Sequence, residues 1–366
     1  MRQPVEAQLT ELGDELVLVP DRPAVFLLWA AEGAPYLAKT SLLRRRLRRL
    51  VARAEGLSRV LRLGGVVERI EYWTVGSQLE AMLVHLELAR RYFPDDWQKI
   101  TRLKPPAFVR LVTHNPFPRS MVTTKLGRGL FTGPFPSRAA AERYESGVLD
   151  LFQIRRCEET LSPAPEHPGC IYGEMSKCLR PCQAAVSADE YMHEVERVEQ
   201  FLRTGGASLA DPAELARDKA SMEMQFEEAE RLHQRAARIR EVAGSAGDLA
   251  RPLDQLAGVA VVRSAANTAI DLLFFVGGQW QDPIRLLLAD TVEGGQSMDR
   301  RVRELIAQMS PASVASLEHL AILTRWHGSS WRDGEWIGFE SLDKIPYRKI
   351  VNAVGRVAAA AVGKPS

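Results

Sequence analysis

Four cysteines constrain this chain more than any other feature. Cys157, Cys170, Cys178 and Cys182 fall within 26 residues, and the rest of the 366-residue chain has none. Their spacing is C-x12-C-x7-C-x3-C. The first twenty residues, MRQPVEAQLTELGDELVLVP, are acidic and lack a basic segment followed by an apolar core. No secretory signal is read there, so the expected compartment is the cytoplasm. Disulfide frameworks belong to small secreted chains, so four thiols in one cytosolic segment point to a metal or an iron–sulfur cluster. A zinc ribbon usually shows two close C-x2-C pairs, and none is present. Wide, irregular spacing suits a cubane cluster, whose irons lie at separate corners. A zinc site and free core thiols are the alternatives. Prolines at 163, 165, 168 and 181 make the segment mostly loop, which a bound group can order where a core cannot.

The surrounding chain reads as globular. Hydrophobic residues make up 46% and charged residues 26%, which excludes global disorder. The length suggests two or three domains. No apolar run approaches the ~20 residues of a membrane span, so no membrane partner is expected. The formal net charge is only +2, which neither demands nor excludes nucleic acid. Only nine of the 48 basic residues are lysines, so the positive charge is mainly arginine, the planar donor suited to phosphate. A GC-rich coding sequence produces the same bias.

Periodicity predicts the elements. Residues 24–29 and 34–39 read as strands joined by a turn at Glu32-Gly33, and 66–75 as a third strand. A basic helix is expected from Ser41, as N-cap, to Arg53, with Leu43, Leu47 and Leu50 on its apolar face. A second helix is expected over 78–92, with Leu79, Met82, Leu83, Leu86 and Ala89 at helical spacing and Pro94 beyond it. Strand-like pieces follow at 107–113 and 120–125, then a helix over 137–153 capped by Ser137. Ser187 and Glu190 form a capping box for a helix ending near Arg203. Thr204–Pro212 reads as a linker, and 213–243 as a helical hairpin. Strands are expected at 256–263, 268–276 and 279–287, with a Gly277-Gly278 turn. The remainder is expected to be mainly helical, at 297–309, 313–326 and 346–361.

Around the cysteines the chain reads CIYGEMSKCLRPCQAAVSADEYMHEVERVEQFL. This resembles the cysteine-rich segment of the UvrC family, the incision subunit of bacterial nucleotide excision repair. HNPFPR (114–119) and GLFTGPFPS (129–137) resemble further segments of that family. QFEEAERLHQRA (225–236) resembles its UVR motif, a hairpin that pairs with UvrB. The resemblance implies a [4Fe-4S] cluster on the four cysteines. It also implies a UvrB contact through the stripe of Met222, Phe226, Ala229, Leu232 and Ala236. An intramolecular hairpin is the alternative use of that stripe.

The N-terminal strands and basic helix resemble a GIY-YIG nuclease domain, which cuts DNA with one divalent ion. The resemblance places Tyr36 at the second motif tyrosine, Lys39 at the lysine and Arg46 at the helix arginine. Other positions depart. Phe26 stands at the first tyrosine, Ala24 and Ala38 at glycines, and Trp97 at an asparagine. His85 occupies the position of the metal-binding glutamate. A hard Mg²⁺ ion needs oxygen ligands, so imidazole is a poor replacement. Glu80 and Glu87 do not lie on the helical face of residue 85. His85 could serve Mn²⁺ or Zn²⁺, or be a non-catalytic groove residue. Arg44, Arg45, Arg46, Arg48, Arg49 and Arg53 form a cationic run suited to phosphate or simply to solvent. Phe26, Tyr36 and Trp97 could stack on bases, although core packing is the expected use.

The expected architecture is multidomain α/β. It comprises a GIY-YIG-like domain (1–104), a connecting and cysteine segment (105–204), a UVR-like hairpin (205–248) and an α+β domain (249–366). That last part is expected to lack the RNase H-like and helix-hairpin-helix units of UvrC. The expected function is DNA binding in excision repair with a degenerate nuclease site. One alternative is an active nicking enzyme like the short relative Cho, with Mg²⁺ or Mn²⁺ bound only in that case. The other is an iron–sulfur nucleic-acid-binding module.

Overall fold

The computed structural model describes residues 5–8, 18–51, 66–113, 115–266, 268–288, 298–307 and 315–362. Arg53 and His114, and the helix ends expected at 308–309 and 313–314, lie outside the described residues. The chain is mixed α/β and divides into two compact units. One contains residues 1–104, 257–314 and 325–366, and the other residues 105–256 and 315–324.

The first unit begins with an antiparallel sheet. Strands β1 (Val5–Gln8), β2 (Ala24–Ala30), β3 (Tyr36–Thr40) and β4 (Val67–Thr74) lie in the order β1-β4-β2-β3. Alternation on β2 separates two cores. Ala24, Phe26 and Leu28 pack with Leu43, Leu47 and Leu50 of helix α1 (Leu43–Val51). Val25 and Leu27 pack instead with Ala81 and Leu88 of helix α2 (Gln78–Tyr92). The first turn of α1 is not held by Ser41. The backbone N–H of Arg45 donates to Asp21 Oδ1 at 3.1 Å, and that of Leu43 to the carbonyl of Arg22 at 3.1 Å. A carboxylate from the preceding loop thus supplies the acceptor. Helix α2 has Ser77 as its N-cap, accepting from Glu80 N at 3.0 Å, and Glu80 Oε2 accepts from Gly76 N at 2.7 Å. A short helix α3 (Trp97–Thr101) follows Pro94.

In the second unit, strands β5 (Ala107–Val112), β6 (Arg119–Thr123), β7 (Leu130–Phe135) and β8 (Arg251–Pro252) pair in the order β6-β5-β7-β8. Strand β7 was not legible as a strand, because Gly133-Pro134 interrupts it. It is buried throughout and pairs with β5 across a register shift. Helix α4 (Arg138–Leu151) is capped by Ser137, and a cysteine loop follows, containing only the one-turn α5 (Ile171–Glu174) and a 3₁₀ turn at Pro181–Gln183. Ser187 and Glu190 form both bonds of a capping box at the start of α6 (Ala188–Arg203).

The expected linker at Thr204–Pro212 is instead a tight turn and a helix. Gly205 and Gly206 adopt positive φ (59° and 92°), and α7 (Ala207–Met222) starts at once, with Pro212 inside it. Burial of Ala210 and Ala213 in the core outweighs the helix-breaking cost of proline. Helix α8 (Phe226–Gly244) returns alongside α7 and places Ala236, Ile239 and Val242 in the same core as Tyr144, Val148, Val195 and Phe201. The cysteine segment and the hairpin therefore belong to one unit.

The first unit is completed by β9 (Ala257–Arg263), β10 (Ala269–Val276), β11 (Gln279–Trp280) and β12 (Ile284–Leu287), then α9 (Met298–Ala307). After them come α10 (Leu317–His327), at whose end the chain re-enters this unit, β13 (Glu335–Phe339) and α11 (Tyr347–Val362). Gly277 and Gly278 turn β10 into β11 with positive φ. Strand β13 lies in a stretch expected to be mainly helical. It extends the sheet by pairing with β9 from Glu335↔Val261 to Phe339↔Ala257. Ile350, Ala353 and Val354 of α11 then pack with Val259, Val261 and Ile270. A Cβ on Gly76 would overlap the backbone of Arg263 and Ser264, so only glycine permits that close approach.

Candidate nucleic-acid site and cysteine centre

The sheet alternation sorts the N-terminal candidates. Tyr36, opposite Leu28, is half-buried on the α1 side, 6.4 Å from the ring of Phe26. Phe26 itself is a core residue, as its packing role predicted. Lys39 lies opposite Val25 and so belongs to the α2 face. It stands within electrostatic reach of His85, which is half-buried on α2. The structure thus brings Lys39 and His85 together, while Tyr36 lies on the opposite face of β3. On α1, Arg44 and Arg46 are half-buried and Arg45, Arg48 and Arg49 are exposed. Trp97 is half-buried, with the guanidinium of Arg90 4.9 Å from its ring centre.

Burial first, then the charge of Lys39, lowers the His85 pKa from 6.5 to about 4. Lys39 is itself lowered, by loss of solvent and then by Arg325. His85 is therefore neutral at pH 7 and free of a divalent-binding carboxylate's charge. A consequence follows for stability. Above pH 6.5 both the folded and the unfolded chain carry this imidazole neutral. Between pH 6.5 and about 4 only the unfolded chain takes up the proton, so stability falls as the pH is lowered across that window. His85→Gln is expected to flatten that part of the profile, as measured by denaturant midpoints from pH 7 to 4.

Asp333 orients this region, and sequence reading did not find it. Its Oδ2 accepts from the backbone N–H of Gln78 at 2.6 Å, and its Oδ1 from Trp326 Nε1 at 3.1 Å. One carboxylate thereby joins the start of α2 to the end of α10.

The cysteine centre is built on a buried knot. Arg155, 1% exposed, donates from Nε to the Phe117 carbonyl at 2.8 Å and from a terminal nitrogen to the Glu159 carbonyl at 2.6 Å. Its backbone N–H donates to the Tyr191 hydroxyl at 2.9 Å, which donates onward to the Pro118 carbonyl at 2.8 Å. Burial pushes the Tyr191 phenol well above its ordinary pKa. Glu194 accepts from the N–H of Gln153 at 2.7 Å, and the Leu179 N–H donates to the Gln153 carbonyl at 2.9 Å. Arg156 binds Asp150 at 2.9 Å and lies 5.0 Å from the ring centre of Tyr172. Ser176, Arg180 and Ala184 adopt left-handed backbone conformations (φ 56°, 58° and 51°), which L side chains enter at a cost.

These turns place two donors on sulfur. A terminal Arg155 nitrogen is 3.7 Å from Cys157 Sγ, and Arg180 N is 3.4 Å from Cys178 Sγ. Cys178 and Cys182 are buried, Cys157 is half-buried and Cys170 is exposed. Burial raises the Cys178 and Cys182 thiols, and the charges of Cys157 and Cys170 add to the rise in both. The Cys157 and Cys170 sulfurs are thus each within electrostatic reach of both Cys178 and Cys182. Among the described residues, no three His, Cys, Asp or Glu side chains are placed to hold a single metal ion. One zinc ion would draw its sulfurs to within about 4 Å of each other. A cluster with a separate iron for each thiolate accepts a wider set, and N–H donors to sulfur suit its negative charge. The donor set fits such a group.

The hairpin has two parts. Leu232 is buried against the chain itself, so it is unavailable for a partner without rearrangement, whereas Ala229 is half-buried. At the turn between α7 and α8, Met222, Met224 and Phe226 are exposed.

Residues 107–201, which hold the knot and all four cysteines, match the family of the UvrC/Cho excinuclease, middle domain. The chain is UvrC-like. It is 26% identical over 271 residues to the UvrABC system protein C of Moorella thermoacetica, a match covering 73% of this chain and 44% of that protein. The chain thus spans less than half the length of the curated relative it matches. No solved structure matches it. Among the described residues of this UvrC-like chain, no helix is long and apolar enough to cross a membrane. Arg155 and Tyr191 are the middle-domain residues that sequence reading missed. Nothing in QIRRC marks one arginine of the pair as buried, and only the fold does so.

Proposed function

We propose that this protein binds DNA in nucleotide excision repair and that its GIY-YIG-like site no longer hydrolyses DNA in the manner of that nuclease family. The observation that carries this reading is His85. The resemblance assigns a metal-binding carboxylate to that position, and the chain places there a neutral imidazole facing Lys39. Replacing a hard anionic ligand with a neutral one beside a cation weakens Mg²⁺ binding.

Cys157, Cys170, Cys178 and Cys182 would hold a [4Fe-4S] cluster, with Arg155 and Arg180 donating to two of the sulfurs. Such a cluster crosslinks a loop that lacks an apolar core and carries a delocalised charge. Zinc on the same cysteines is the alternative. The exposed tip at Met222, Met224 and Phe226 supplies an apolar face for UvrB, while the root of the hairpin serves the protein's own core.

A nicking assay tests the function. Anaerobically purified protein is added to UV-damaged supercoiled plasmid with UvrA and UvrB, in Mg²⁺ and then in Mn²⁺. The wild type is expected to bind without nicking, and His85→Glu to gain metal-dependent nicking. Wild-type nicking that disappears in Arg46→Ala would overturn this reading and make the protein an active enzyme of the Cho type.

A further inference from the structure

We propose that the cleft between α9 and the start of α11 binds one nucleotide unit, its base stacked on Arg303 and its phosphate held by Arg348 and Lys349. A free nucleotide and one unit of a strand present the same chemistry, so the site does not depend on the DNA-binding reading above. The matched middle domain ends at residue 201, and these residues lie in none of the motifs that carry the family resemblance.

Core packing makes the cleft. Val302 and Ile306 of α9 share one core with Ile345 and Ile350, which flank the start of α11. Asp299 and Arg303, one turn apart on α9, are left at the edge beside Tyr347. Arg303 Nε donates to Asp299 Oδ2 at 2.7 Å, and its guanidinium carbon lies 3.9 Å from the centre of the Tyr347 ring. One face of the guanidinium is thus covered by the ring. The side chain is still 54% exposed, which leaves much of its plane to solvent. The cleft has a volume of about 450 Å³ and is lined further by Ile345, Pro346, Arg348, Lys349 and Asn352.

A fixed guanidinium plane is a stacking surface for a nucleobase. Here the ring beneath and the carboxylate beside it hold that plane in place before any ligand arrives. Among the described residues, Asp299 is the one acid lining the cleft, and Arg303 already engages it. Arg348 and Lys349 are exposed and make no ion pair among the described residues. With three cations and one acid, the lining is net positive. A guanidinium and an ammonium suit phosphate oxygens. Asn352, one turn beyond Arg348, offers an amide to a base edge or a sugar hydroxyl. The volume falls within the roughly 300–1,000 Å³ of small-ligand sites.

The test titrates the full chain with two probes. One is methylanthraniloyl-ADP, followed by its fluorescence, and the other a fluorescein-labelled single-stranded DNA oligonucleotide, followed by anisotropy. The double variant Arg348→Gln/Lys349→Gln is expected to weaken the probe that fills the cleft about tenfold. Arg303→Lys keeps the charge but loses the plane, and is expected to weaken the same probe about fivefold. Arg138→Gln, at an exposed helix start in the second unit, controls for loss of charge alone. Weakening of the nucleotide alone identifies a free nucleotide as the ligand, and weakening of the oligonucleotide identifies a strand. Weakening in the double variant with wild-type affinity in Arg303→Lys would overturn the stacking and leave a simple anion surface. Wild-type affinity for both probes in both variants, or a wild type that binds neither, would overturn the inference. A wild type that binds the nucleotide and not the oligonucleotide would overturn the DNA-binding reading alone.

Discussion

Arg155→Ala is expected to destabilise the second unit by about 2–5 kcal/mol. The side chain is buried and bonds two carbonyls from separate segments, at Phe117 and Glu159. Alanine removes those charged donors and leaves a cavity beneath the cysteine loop. Tyr191→Phe is a milder comparison, expected to cost about 1–3 kcal/mol. It deletes one hydroxyl that both accepts from Arg155 N and donates to the Pro118 carbonyl. The readout can be confined to the correct unit. All seven tryptophans lie in the stretches that form the first unit. Tryptophan fluorescence should therefore be nearly unchanged at low denaturant, while hydrogen exchange in α6 accelerates. Unchanged protection of α6 in Arg155→Ala would show that the knot contributes little.

Cys178→Ser is expected to abolish retention of iron and acid-labile sulfide, together with the visible absorption they produce. Cys178 is one of the two buried thiols and accepts a backbone N–H, so serine there removes an anchored ligand. Without the cluster, residues 157–187 have little apolar burial to oppose chain entropy. Limited proteolysis should then cut within that loop while the helices on either side persist. A colourless wild-type protein with one bound zinc would replace the cluster by the zinc alternative. A wild type with neither metal, and no change in cleavage on substitution, would leave four free thiols.

Much of the local structure was legible. The helix over 78–92, the caps at Ser137 and Ser187, and the strands around Gly277-Gly278 all occur where periodicity and capping chemistry placed them. These features depend on residues a few positions apart, and alternation or a serine oxygen is visible at that range. The failures have a common cause. Strand β13 exists because β9 offers a free edge, β7 because β5 pairs with it through a register shift, and the helical turn at Pro212 because two alanines find a core. In each case a distant partner decided against the local preference.

By itself, the sequence determined the mixed α/β character, the cysteine centre as a candidate ligand set, and the presence of an imidazole at position 85. Each is a matter of residue identity and spacing, which folding cannot change. Only the tertiary structure decided that Lys39 faces His85 while Tyr36 packs on the other side of the sheet. It alone buried Arg155 under the cysteine loop and tied the start of α2 to the end of α10 through Asp333. Those relations follow from which apolar faces are buried together and which buried polar groups must then be paired, and neither is recorded in short-range pattern.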